Sequence, residues 1–344
     1  MNDVVTEDVD GSQFVAREVH LASRPDGPIN SSNFEIVERT VARSGPGSLV
    51  VRNEYISVDP YMRRRMDGSS SYISPFQIGA AMPGAAVGRV TDSVDPDFPV
   101  GSWVLHDYGW RDYAVLPAKR ATKIDAETVP PSYYLGVLGI SGVTAYVGLR
   151  EVAGLRRGDT LFVSGAGGAV GSIAGQIGRL CGAHVIGSAG SDAKCQWLVD
   201  DLGFDKAINY RSGPIADSLA AAAPNGIDVY FDNVGFDHLE AALQVANNSA
   251  RFAICGTVAD YDTAEDIAGV RNIFEIVAKR ITIRGFLVAD YWDRVSQILP
   301  ELLQWVKDGD LVARETVVTG LDEATSALSS MLHGGNVGKM LVKV

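Results

Sequence analysis

Residues 160–209 read TLFVSGAGGAVGSIAGQIGRLCGAHVIGSAGSDAKCQWLVDDLGFDKAIN. Leu161, Phe162 and Val163 form an apolar run of strand length, a glycine cluster follows, and the small and apolar residues from Ala169 to about Cys181 read as a helix. A second apolar run, Ala183 to Ile186, begins at once. The order strand, tight turn, helix, strand is the start of a parallel α/β unit.

Within that turn Ala166, Gly168 and Gly171 have the spacing A-x-G-x-x-G, with Ala169 and Val170 as the intervening pair. Small residues at these three positions serve the tight turn, the approach of a pyrophosphate to the backbone, and close packing of helix on strand. The helix N-terminus adds unpaired N–H groups and a positive dipole end, which favour phosphate. Glycine turns also arise for local steric reasons, but here the strand before and the helix after supply the context of a dinucleotide site.

The exit of the second strand selects the cofactor. NAD sites place an acid there to accept from the ribose 2′-hydroxyl, whereas NADP sites replace it and supply a cation. Here the strand runs out as Gly187, Ser188, Ala189 and Gly190, with no acid, and Lys194 follows after Asp192. The missing acid and the nearby base predict NADP(H). The competing reading of Lys194 is a solvated lysine in the first turn of the next helix.

At 344 residues the chain is long enough for two domains, and its formal charge of −12 argues against nucleic acid and against an anionic membrane surface. Three scattered cysteines, Cys181, Cys195 and Cys255, suit neither a disulfide framework nor a cysteine-rich zinc lobe, so a reducing cytoplasm is expected. The start, MNDVVTEDVDGSQF, lacks the basic and apolar regions of a signal peptide and is expected to be a frayed tail. The uncharged runs Tyr133 to Leu149 and Thr160 to Gly178 are interrupted by glycines and polar residues, so neither is expected to span a membrane.

The first third is different in texture. SLVVRNEYISV, AAVGRVTDSV, SWVLHDY and DYAVLP are short β-type segments punctuated by Pro, Gly and Asp. From about Pro131 helix and strand alternate: a helix through Tyr133 to Leu149, the glycine unit, then IDVYFDNV, SARFAICG and ITIRGFLV as buried strands. After about Leu311 short strands return, including KMLVKV, around a helix near Glu323 to Leu332. The expected layout is a β-rich domain, 1–130 and 311–344, interrupted by a nucleotide domain, 131–310.

The segments SVDPYMRRRM (57–66), GWRDYAV (109–115), YLGVLGISGVTAYVGL (134–149), SGAGGAVGS (164–172), AGSDAKC (189–195), DVYFDNVG (228–235), AICGTVADY (253–261) and GGNVGKMLVKV (334–344) carry a specific resemblance. Through them the chain resembles the medium-chain dehydrogenase/reductase superfamily, and within it the zinc-free, NADP-dependent double-bond reductases: the leukotriene hydroxydehydrogenase/prostaglandin reductase, curcumin reductase and plant alkenal reductase group. That resemblance implies an α/β fold, a GroES-like β-rich catalytic domain with an inserted Rossmann doubly wound parallel sheet.

The metal question is also open to direct argument. Zinc dehydrogenases need converging Cys, His and carboxylate ligands. The β-rich segments contain no cysteine, their histidines (His20, His106, His333) have no ligand spacing, and His184 and His238 stand alone, so no metal is expected. Without a Lewis acid a simple ketone is hard to polarise. An enone is easier, because hydride adds to the β-carbon and the enolate needs hydrogen-bond donors. Protonation of the α-carbon then comes from tyrosine or water.

By resemblance Tyr261, just past AICG, matches the tyrosine at the nicotinamide end, either as a donor or as a shielding loop residue. Tyr61 stands near the first ligand position of zinc relatives, where it borders the substrate pocket or packs beneath it. Lys194 and Tyr210 match residues that hold the adenosine 2′-phosphate. Asn336 matches a cofactor-contacting asparagine, and Asn233 and Gly256 fall in the strand-end motifs. Thr144 matches a nicotinamide-proximal threonine, against the alternative of a hydroxyl bonded to its own helix. Cys255 matches a small strand-end residue near the adenine or pyrophosphate and reads as packing, not as a nucleophile. The chain departs from relatives in the three arginines Arg63 to Arg65, in glycines lost from AAMPGAAVGRV, and in Phe236, where many carry a second glycine after Gly235.

The implied activity is NADPH-dependent reduction of the α,β double bond of enones or enals, with quinone reduction or non-catalytic NADP binding as the alternatives. The implied partners are a small electrophilic substrate and a second copy of the chain, since ITIRGFLV resembles the edge strand through which relatives pair their sheets.

Overall fold

The computed structural model describes residues 13–42, 44–68, 72–262 and 269–344. The expectation of a frayed acidic tail falls largely on residues 1–12, outside the described residues. The chain divides into two compact units: Met1–Leu135 with Thr316–His333 and Met340–Val344, and Gly136–Glu315 with Gly334–Lys339. The divisions at 135/136 and 315/316 lie about one turn beyond the expected ones. Gly334–Lys339 falls in the second unit because Gly338 N–H donates to Gly167 O (2.9 Å) and Lys339 N–H to Arg314 O (2.8 Å).

The first unit is built on antiparallel strands. Ser48–Ser57 lies centrally, paired with Ala86–Ser93, Tyr113–Pro117 and Lys339–Lys343. Trp103–His106 and Thr122–Lys123 extend the sheet on one side and Glu315–Thr319 on the other, while Gln13–Leu21 and Phe34–Ala42 form a separate hairpin. A core cluster among the described residues gathers Met62, Met66, Phe76, Met82 and Trp110 with Leu321 and Leu328. Trp110 is completely buried in the left-handed region (φ 60°), and its indole N–H donates to Ser57 O at 3.2 Å. That bond satisfies the one polar atom the ring carries into the core.

The second unit is a parallel sheet of six strands: β1 Thr160–Val163, β2 His184–Ala189, β3 Lys206–Asn209, β4 Ile227–Asp232, β5 Ala246–Ile254 and β6 Thr282–Gly285. Their order is β3-β2-β1-β4-β5-β6. The direction of winding reverses between β1 and β4, and ligands of open α/β sheets bind at the carboxyl ends of the strands at such a reversal. The inner strands are apolar on both faces, and Phe162, Tyr230 and Phe252 run across three of them in one stacked and one edge-on ring contact, at 5.1 and 5.2 Å.

Two elements differ from their sequence patterns. Tyr133 to Leu149 is not one helix: a 3-10 turn, Pro131–Leu135, gives way to the helix Ile140–Val147 and a π turn, Gly148–Val152. Gly139 caps that helix in an extended conformation, so the glycines of the run break it. Strand β6 is mostly exposed rather than buried, because it closes one edge of the sheet and pairs only with β5.

The carboxyl ends of β1, β4 and β5 are joined through Asp232, which is fully buried. Its Oδ1 accepts from Ser164 Oγ (2.9 Å), Tyr230 Oη (2.7 Å), Val234 N (2.9 Å) and Gly235 N (2.8 Å). Its backbone carbonyl accepts from Cys255 N and Gly256 N. Burial first, and the charge of Asp232 second, push the Tyr230 phenol well above its ordinary range, so it stays a donor. Asp232 Oδ2 has no partner. Asp232→Asn would set an amide N–H₂ at this acceptor-free position and weaken four bonds, so we expect a loss of about 2–4 kcal/mol of unfolding free energy. Denaturant titration reads it, and a loss under about 0.5 kcal/mol would remove the carboxylate as the organiser of these strand ends.

Candidate cofactor and catalytic site

The glycine turn lies between β1 and the helix Ala169–Leu180. Gly168 is the N-cap, extended and without a side-chain cap bond, so no side chain competes for the first-turn N–H groups. Ala166 N–H donates to Ser188 O at 2.8 Å, which fastens the turn to β2. A Cβ on Gly171 would stand 2.4 Å from Gly165 O and 2.8 Å from Ala166 Cα, both backbone atoms. Only glycine lets the helix sit this close to the turn. Gly168, Ala169 and Val170 remain partly exposed at its mouth. At Gly168 a Cβ would meet Gly165 O at 3.4 Å, an ordinary contact, so the steric demand for glycine in this turn lies at Gly171.

The segment Gly334–Lys339 lies beside this turn, with Gly338 bridged to Gly168. Asn336 is buried, and its Nδ2 donates to Gly338 O at 2.6 Å. Gly338 is required: at φ 68° a Cβ would fall 2.0 Å from Arg314 O.

At the exit of β2 the side chains are basic and aromatic. Ser191 caps the helix Asp192–Asp200, its Oγ accepting from Lys194 N at 3.3 Å. Lys194 Nζ reaches back to donate to Gly334 O at 2.7 Å. Partial burial, then the charge of Arg211, lowers its ammonium below the ordinary lysine range. Tyr210 Oη stands 2.8 Å from where a Cβ of Gly190 would lie, and the Tyr210 ring meets His238 edge-on at 5.2 Å. The intervening acid, Asp192, accepts from Asn209 Nδ2 at 2.7 Å. Arg211 also reaches this corner, and the sequence reading passed over it; its only signal there was its position directly after Tyr210.

At the ends of β4 and β5, Asn233 N donates to Ser164 Oγ (2.9 Å) and Asn233 Nδ2 to Ser164 O (2.7 Å). Val258 N donates to Asn233 O, which shapes the turn leading to Tyr261. The Tyr261 hydroxyl lies 3.6 Å from a Cβ built on Gly256, so glycine opens the space beside that phenol. Burial, then Asp232, pushes the Cys255 thiol up to about 12, which suits packing and not nucleophilic chemistry. Phe236 is held at φ 48°, a left-handed conformation costly for an aromatic residue, at the position where the sequence departs from many relatives. Thr144 Oγ1 donates to Ile140 O at 2.6 Å, the bond to its own helix that was the alternative to a cofactor contact. The sequence-derived residues Ala166, Gly168, Gly171, Lys194, Asn233, Gly256, Tyr261 and Asn336 are thus linked at the carboxyl end of one sheet.

In the first unit Tyr61 opens the helix Tyr61–Met66 and is half-buried against the Met62 and Trp110 core. Burial first, then the charge of Asp59, raises its phenol well above the ordinary range, so it stays protonated. The three arginines are not a uniformly solvated turn. Arg63 is buried, pairs with Asp67 and donates to Gly27 O at 2.9 Å, while Arg65 lies 4.1 Å over the Phe76 ring and donates to Ser74 O.

Residues 17–124 match the sequence family described as the N-terminal domain of oxidoreductase, and residues 169–308 the one described as zinc-binding dehydrogenase. Among the described residues no three His, Cys, Asp or Glu side chains are grouped as a metal ion would require. The chain is 40% identical over 329 residues to the NADPH-dependent curcumin reductase of Escherichia coli, covering 94% of this chain and 95% of that protein. It is 39% identical over 334 residues to the NADP(+)-dependent 2-alkenal reductase of Nicotiana tabacum, covering 95% and 97%. The crystal structure of CurA in complex with NADPH from Vibrio vulnificus matches with a TM-score of 0.91 at 39% identity, over 95% of this chain and 99% of that one. By these full-length matches the chain belongs to the medium-chain dehydrogenase/reductase superfamily, in its zinc-free branch of NADP-dependent double-bond reductases.

Proposed function

We propose that the protein reduces the α,β carbon–carbon double bond of enones and enals with NADPH. The observation that carries this reading is the full-length match to the curcumin and 2-alkenal reductases, each named for NADP(H). The acid-free exit of β2, ringed by Lys194 and Tyr210, supports the phosphorylated cofactor. Space at Gly168 and Gly256, which a Cβ would narrow, and the uncapped N-terminus of Ala169–Leu180 suit a pyrophosphate and a ring beyond it.

In this reading Ala166, Gly168, Ala169, Val170 and Gly171 hold the pyrophosphate, with Asn336 beside them. Asn233, Gly256 and Thr144 line the path toward the nicotinamide, and Cys255 packs at the strand end near the adenine or pyrophosphate. NADPH supplies the hydride that adds to the substrate β-carbon. The residues of this chain then manage the charge that appears on the carbonyl oxygen. A protonated phenol, Tyr61 or Tyr261, donates a hydrogen bond to the enolate oxygen, and the α-carbon takes its proton from a phenol or from water.

Incubating the enzyme with NADPH and a panel of enones, enals and quinones tests the reaction. The expected result is NADPH oxidation matched by a saturated ketone or aldehyde two hydrogens heavier. Oxidation with quinones alone, or none with any acceptor, would overturn the proposal.

For the two phenols, Tyr61→Phe and Tyr261→Phe are each expected to cut kcat by about 10- to 100-fold with NADPH affinity unchanged. A variant that keeps full kcat removes that residue from the chemistry. Because burial raises the Tyr61 phenol, its contribution should persist through alkaline pH, and a kcat that falls at an ordinary tyrosine pKa in wild type but not in Tyr61→Phe would contradict that role.

We also propose a homodimer joined along β6. The strand is an exposed edge, and Ile273, Phe274 and Val277 nearby are 63%, 73% and 67% exposed, an apolar surface next to unpaired backbone groups. Light scattering should give twice the chain mass, and Phe274→Glu with Val277→Glu should give a monomer; a monomeric wild type would end this proposal.

A further inference from the structure

We propose that Arg211 is the second half of a two-cation clamp for the ribose 2′-phosphate, acting with Lys194 as a specificity-determining residue. The inference rests on the NADPH reading above and adds a residue to it. Its basis is convergence. A Cβ placed on Gly334 would lie 3.9 Å from Lys194 Nζ and 4.0 Å from Arg211 Nη2, so the ammonium and the guanidinium approach one point. A Cβ on Gly190 would lie 2.8 Å from Tyr210 Oη and 3.4 Å from Arg211 Nε. Arg211 thus reaches the Lys194 ammonium beside Gly334 with one nitrogen and the Tyr210 phenol beside Gly190 with another.

Holding two like charges this close is unfavourable by itself, and burial first, then this repulsion, lowers the Lys194 ammonium. In a chain with a formal charge of −12 such a local concentration of positive charge is what a dianionic phosphate monoester requires. The surroundings support it. Asn209 takes the carboxylate of Asp192 with its Nδ2 (2.7 Å) and accepts from Arg211 N with its Oδ1 (3.0 Å), so one side chain holds the nearby acid and anchors the arginine backbone. The Arg211 guanidinium carbon lies 5.9 Å from the centroid of the Tyr210 ring, within reach of a cation–π contact. A planar guanidinium presents paired donors to phosphate oxygens, whereas the lysine adds a point charge.

The test is calorimetric titration of the full chain with 2′,5′-ADP and with 5′-AMP, ligands that carry no nicotinamide and need no turnover. Wild type should bind 2′,5′-ADP more tightly. Arg211→Ala should weaken 2′,5′-ADP by about 10- to 50-fold and leave 5′-AMP within twofold, with Arg211→Lys in between. The affinity of wild type for 2′,5′-ADP should also fall more steeply with salt than that of Arg211→Ala. Arg211 is exposed, so the variants should keep the thermal midpoint of wild type. Wild-type discrimination that survives Arg211→Ala, or an equal loss of both ligands, would overturn the clamp while the cofactor reading stands. Equal binding of the two ligands by wild type would instead remove the NADPH reading beneath it.

Discussion

The close seat of the helix Ala169–Leu180 on its turn is the contact on which the candidate site depends. With Gly171 lacking a Cβ, Gly165 O and Ala166 Cα approach to distances that no other residue permits. That approach leaves Gly168, Ala169 and Val170 at a partly exposed mouth and turns the first-turn N–H groups of the helix toward it. The same economy of volume recurs behind it, where Gly175 lies against Phe204 and Gly178 against Leu161. The helix is glycine-rich because it must lie flat on β1 and β2, and its low intrinsic propensity is offset by the area it buries.

Asp232 performs the complementary task on the other side of the reversal point. A fully buried carboxylate taking four donors on one oxygen is a costly feature unless the donors are fixed. Here they are the hydroxyls and N–H groups that set the loops after β1 and β4, so the network holds Ser164, Asn233 and Gly235 in register. This acid belongs to the framework, in contrast to the absent acid at the end of β2. Two carboxylate positions at the ends of β4 and β2, on either side of β1, thus carry different messages: one organises loops, and the lack of the other leaves room for a phosphate.

Local pattern made much of this legible. The strand–turn–helix order, the β-rich first third and the glycine spacing were readable because each depends on residues within a few positions of one another. The pattern was misleading where neighbours in sequence could not report position in the sheet. ITIRGFLV has the composition of a buried strand, yet β6 has a partner on one side only. The apolar run from Tyr133 to Leu149 has helical composition, yet Gly136 and Gly139 divide it.

By itself the sequence determined the family, the parallel nucleotide fold and the preference for a phosphorylated cofactor, because these rest on short-range spacing and on which residue types are present or missing at a strand end. Only the tertiary structure decided which distant residues share the site. Lys194 meets Gly334 across 140 positions, Gly338 closes on Gly167, and Arg211 turns toward the same point as Lys194. No local period encodes such meetings, since they follow from the order in which parallel strands are laid side by side and from backbone bonds formed only when those strands have assembled.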